Sequence, residues 1–82
     1  MASDSELEVL LLAKLHRNGV WGAHHVCESS LPKGFAKHER KRVMELAEKL
    51  RREGLLVKRP SSHEYQWFLN IMRKEEIEKR IR

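Results

Sequence analysis

Three groups of side chains in this 82-residue chain have types and spacings that could do chemistry. The first is His24, His25 and Cys27. On a helix, His24 and Cys27 would share a face at i,i+3, and both suit zinc or copper. There is no second Cys pair and no His-x3-His spacing, so a structural thiol on a short helix is expected, with no metal or cofactor. A Cys–His nucleophile would further need an orienting acid, and none is discernible. The second group is Lys37, His38, Arg40, Lys41 and Arg42, opposed only by Glu39. The third is Lys58, Arg59 and His63 around Pro60-Ser61-Ser62. Clustered cations without a nucleophile or paired carboxylates suit recognition of a polyanion. Asp4 is the only aspartate, and the eleven glutamates are scattered among Lys and Arg as on a solvated helical surface, so an enzyme is not expected.

The charge distribution supports that emphasis. Residues 31–60 hold ten basic and four acidic groups, a net of +6 in a chain whose total is +5, while residues 1–30 are net negative. The basic character is therefore local and points to one polyanion-facing side. With a mean hydropathy of −0.66 and a longest apolar run of five residues, Val9 to Ala13, no membrane span is expected. The acidic start from Met1 to Glu6 is unlike a secretory signal, and a lone cysteine forms no internal disulfide. A single domain over residues 1–82, in the cytoplasm, is the expectation.

The elements that must position these groups follow from periodicity and stop signals. Ser5 as N-cap and Asn18-Gly19 as terminator bound a first helix that is apolar around most of its circumference. Val20-Trp21 reads as a short extended piece and Gly22 to Ser29 as a short second helix, with Pro32 and Gly34 punctuating the connection after it. From Phe35 to Glu53, Val43, Leu46, Ala47 and Leu50 form one apolar stripe ending at Gly54, which predicts a third helix. If that stripe is buried, Lys37, His38, Lys41, Glu45 and Arg52 lie on the opposite side. Leu55 to Arg59 and Glu64 to Leu69 predict a hairpin with a loop of about four residues. Within it, Tyr65, Trp67 and Leu69 share a face by alternation, as core rather than as a base-stacking platform. A last helix begins near Asn70, with Glu75–Lys79, Glu76–Arg80 and Glu78–Arg82 at i,i+4.

This order of elements resembles the winged helix-turn-helix family over nearly the whole chain. The part most similar to small bacterial and archaeal transcription regulators runs from Leu46-Ala47-Glu48-Lys49-Leu50-Arg51-Arg52-Glu53-Gly54-Leu55-Leu56 to the aromatic strand Tyr65-Gln66-Trp67-Phe68-Leu69. The resemblance implies an α+β, mainly α fold: a three-helix core, a two-stranded β-hairpin wing and a C-terminal helix. It implies binding of double-stranded DNA at the nucleoid, with Lys37, His38, Arg40, Lys41 and Arg42 of the third helix in the major groove and Lys58, Arg59 and His63 of the wing on phosphate or minor groove. A winged helix used as a protein–protein module, or for RNA, is the alternative. The connection at Ser30 to Gly34 is longer than the tight turn of the motif. Surplus apolar surface on the first and last helices suggests a homodimer through Val9, Leu12, Ile77 and Ile81, with His16 beside that strip; the same residues could instead cover one another within one chain.

Overall fold

The computed structural model describes residues 3–82; Met1 and Ala2 of the acidic start lie outside them. Helix α1, Asp4–Arg17, is opened by Ser3, whose Oγ accepts from Glu6 N at 3.2 Å. Both Ser3-x-x-Glu6 and Ser5-x-x-Glu8 match a capping box. The structure uses the earlier one because Glu8 is drawn inward, onto Lys49 at 3.2 Å and Arg80 at 3.7 Å. Gly19 stops the helix with φ 65°, the left-handed conformation that glycine adopts at least cost.

The expected second helix over Gly22–Ser29 is not formed. Its residues enter a strand, β1, Val26–Cys27, and a 3-10 turn, Glu28–Ser30. The extended piece therefore lies at Val26–Cys27 rather than at Val20-Trp21, although Val20 O still accepts from Leu69 N at 2.8 Å. Gly22 at φ 106° breaks any helix there, and the β-branched Val26 finds a cross-strand partner in Trp67.

Helix α2, Arg40–Arg52, follows a 3-10 turn at Lys37–Glu39, so the regular helix starts five residues later than the sequence suggests. Ala36 is extended, and half-buried Phe35 packs on the core with the Lys14 ammonium 5.8 Å from its ring, so the chain can begin to coil only beyond them. As expected, Val43, Leu46, Ala47 and Leu50 are buried. Strands β2, Leu56–Arg59, and β3, Gln66–Leu69, form the hairpin around a six-residue loop, and β3 is the central strand of an antiparallel sheet in the order β1-β3-β2. Cross-strand pairs point to one side, so Val26, Lys58 and Trp67 face inward with Leu56 and Leu69, while Cys27, Arg59, Gln66, Val57 and Phe68 face outward. Tyr65 lies before β3 and is exposed, so only Trp67 and Leu69 of the expected trio are core. Asn70 closes the sheet region: its Nδ2 donates to Gly54 O at 2.7 Å and its Oδ1 accepts from Met72 N at 3.0 Å. A 3-10 turn, Ile71–Arg73, then leads into α3, Lys74–Arg80. Of the three i,i+4 pairs read for this helix, Glu76–Arg80 is formed, at 3.7 Å.

The molecule is thus an α+β fold with three α-helices and a three-stranded sheet among the described residues, built on one apolar cluster of α1, α2, the sheet and Ile77. Glu8 is the one buried charged side chain among them; by holding Lys49 of α2 and Arg80 of α3, it joins all three helices.

Candidate nucleic-acid interface

Helix α2 lies between two supports. On one flank Arg42 is gripped by Asp4 of α1, with Nε donating to Oδ1 at 2.9 Å and a second, Nη2–Oδ2 contact, and it also reaches Glu45 at 3.3 Å. On the other flank Glu48 accepts from Lys58 of β2 at 2.7 Å and from Arg51 at 2.7 Å. The Arg42 bond holds the Asp4 carboxyl below its ordinary range, and Lys58 does the same for Glu48. These ties pin α2 between α1 and the sheet and leave a solvent-facing ridge.

The cations expected to contact DNA divide along those lines. Lys37, His38, Arg40 and Lys41 are exposed and without an ion pair among the described residues; Arg40 donates from Nε to Phe35 O at 3.3 Å. Arg42, although exposed, is committed to two carboxylates, which raise its pKa above the ordinary arginine value. Lys58 is drawn inward rather than presented by the wing. Its ammonium sits between Glu48 and Glu28, 4.3 Å from the Tyr65 ring centroid and 5.4 Å from that of Trp67, and the Glu48 bond raises its pKa. Arg59 faces outward over the Phe68 ring at 5.4 Å, with Gln66 Oε1 3.3 Å from Nη2. His63 is exposed in the loop. That loop is tethered: Glu64 accepts from Ser29 N at 2.7 Å and Ser29 Oγ at 3.1 Å, and Ser61 Oγ donates to Glu64 O.

Sequence reading passed over Lys33, exposed and without an ion pair among the described residues, four residues ahead of Lys37. Lys14 Nζ donates to its carbonyl as well as to those of Ser30 at 3.4 Å and Leu31 at 3.1 Å, which ties the connection before α2 to α1. Basic residues inside a turn-rich connection were the available signal.

Two expectations are corrected. Cys27 is a half-exposed free thiol on β1, with His24 and His25 exposed in the loop ahead of it, so the helical face that would have paired them does not exist. No group of three His, Cys, Asp or Glu side chains among the described residues could hold a metal ion. Of the strip expected between two copies, Leu12 and Ile77 are fully buried within the chain, Ile81 packs on the same core, and His16 pairs with Glu78 at 3.1 Å; only Val9 remains exposed. The chain's own α1 and α3 therefore cover each other. No helix among the described residues is long and apolar enough to cross a membrane.

No family model, curated protein or solved structure matches this chain closely enough to assign it to a family.

Proposed function

We propose that this protein is a winged-helix-like domain that binds double-stranded DNA through the ridge of α2 and the outer edge of the hairpin, as a small transcriptional regulator. The observation that carries the reading is the run of unpaired cations that leads into α2. Among the described residues Arg42, Lys49, Arg51, Lys58, Arg73 and Arg80 each meet a carboxylate, whereas Lys33, Lys37, Arg40 and Lys41, four successive cations leading into α2, meet none, and neither does Arg59 of the hairpin; the other cations without a carboxylate, Lys14, Arg17, Arg52, Lys74, Lys79 and Arg82, are interspersed elsewhere in the chain. The first turn of α2 holds no acidic residue, and its basic side chains stand at the positive end of the helix dipole. That placement raises the free energy of the isolated helix and is relieved by a phosphate. The order helix, strand, turn, helix, hairpin, helix also supports the reading, with the turn at Glu28–Gly34 standing in for the second helix of the motif.

The test is titration of a duplex at two salt concentrations. Lys37→Ala with Lys41→Ala should weaken binding and flatten the salt dependence by about 0.9 per phosphate contact removed. Lys74→Ala with Lys79→Ala makes the same change in net charge on α3 and should leave the slope as in the parent. Equal behaviour of the two double variants would discard the site. Displacement by RNA in preference to duplex would move the reading to RNA. A protein-docking role has its own support in Ile71 and Met72, 55% and 85% exposed in the 3-10 turn before α3; absence of any nucleic-acid binding would favour it.

A further inference from the structure

The face of α1 turned away from the core carries a second pattern. Leu7, Leu11, Leu12 and Leu15 are buried, and directly opposite them Glu6, Leu10, Ala13 and Arg17 follow at 4-3-4 spacing, with Val9 alongside. That spacing keeps a stripe on one side of a helix over three turns. Leu10 is 53% and Val9 36% exposed. The other charged groups of α1 are already engaged: Asp4 by Arg42, Glu8 by Lys49 and Arg80, Lys14 by three carbonyls, His16 by Glu78. Only Glu6 and Arg17 remain unpaired among the described residues, one at each end of the apolar pair.

We infer that this face docks on the same face of a second copy, antiparallel about a two-fold axis between Leu10 and Ala13. A two-fold contact requires a self-complementary surface. Here Leu10 meshes with the partner's Ala13, large against small, while Glu6 meets the partner's Arg17 and Arg17 the partner's Glu6. The acidic first turn of one α1 thereby lies against the basic last turn of the other, and the two helix dipoles oppose. Beside Arg17 a groove of about 340 Å³, lined by Leu10, Lys14, Lys33, Phe35 and Glu39, has more basic than acidic side chains where the partner's Glu6 arrives. The groove reaches Lys33 and Glu39 but not Lys37, Arg40 or Lys41, so the inference is tested separately from DNA binding. One helix face is a small contact, so the association belongs at the weak end of specific interfaces.

Sedimentation of the parent from about 5 to 500 μM, the upper limit set by the weakness expected of so small an interface, should show reversible growth from the 9.7 kDa chain to twice that mass. Leu10→Glu should abolish it, and because Leu10 is largely exposed the variant should keep the parent's circular dichroism. Glu6→Arg alone and Arg17→Glu alone should each weaken self-association about tenfold or more, two attractive rim contacts becoming repulsive. An equimolar mixture of those two variants restores both pairs and should dimerise as the parent does. A parent that stays monomeric throughout, a Leu10→Glu variant that dimerises normally, or a mixture no better than its components would overturn the inference.

Discussion

Trp67 shows how much one side chain of β3 holds. It is fully buried, its indole Nε1 donates to Glu28 Oε1 at 3.1 Å, and its ring lies beneath the Lys58 ammonium. Removing it opens a cavity between the sheet and the helices and leaves Glu28 without its indole donor, with the Lys58 ammonium at 3.6 Å as its remaining partner. Trp67→Ala should cost about 3–5 kcal/mol in denaturant unfolding. A variant that unfolds with the parent yet loses nucleic-acid binding would instead make Trp67 a base-stacking platform. Alternation along Tyr65, Trp67 and Leu69 was legible in the sequence; Tyr65 departs from it because the strand begins only at Gln66.

At the scale of elements, the connection between β1 and α2 decides where the ridge points, and Lys14 holds that connection. Its ammonium donates to the carbonyls of Leu31 and Lys33 and shares that of Ser30, which also accepts from Lys33 N at 3.2 Å. Burial and the neighbouring charges of Arg17 and Lys33 keep its pKa below the ordinary lysine value. Lys14→Met keeps most of the stem and removes the donors, so it should destabilise the fold by about 1–3 kcal/mol. Hydrogen exchange should quicken between residues 28 and 36; protection unchanged there would show that the connection stands without Lys14. A lysine in an apolar helix reads as a solvated charge in sequence, because the carbonyls it serves lie 16 to 19 residues away.

Across the whole molecule, carboxylates join segments distant in the chain, among them Asp4 to Arg42, Glu48 to Lys58, and Glu64 to Ser29. Each of these three has its pKa lowered, Asp4 and Glu48 chiefly by hydrogen bonds from those cationic side chains and Glu64 by the Ser29 backbone N–H. A carboxyl whose folded pKa lies below its unfolded one stabilises the fold above the unfolded value, and that contribution is lost as pH falls through the folded value. Stability should therefore hold from neutral pH to the ordinary carboxylate range near 4.5 and decline below it. Exposure and screening keep each contribution small. Urea midpoints measured from pH 7 to 2.5 test this against a variant carrying Asp4→Asn, Glu48→Gln and Glu64→Gln, whose acid decline should be shallower. An identical decline in the two proteins would assign acid sensitivity to other groups.

The sequence by itself determined α1, α2, the hairpin and the last helix, because each carries its signal locally: an apolar stripe at helical spacing, alternation at period two, a glycine where the chain must turn left-handed. It also placed the basic excess on α2. Tertiary structure alone decided the rest. A two-residue strand has no period to read, so β1 exists only through its pairing with β3. Whether a cation is free depends on which carboxylate arrives from elsewhere, and Asp4 is 38 residues from Arg42. The surplus apolar surface of α1 divides the same way: Leu12 is buried where the chain folds back over it, and Leu10, two residues earlier and on the opposite side of the helix, is left to solvent. Periodicity records that a face is apolar; only the packed chain settles what lies against it.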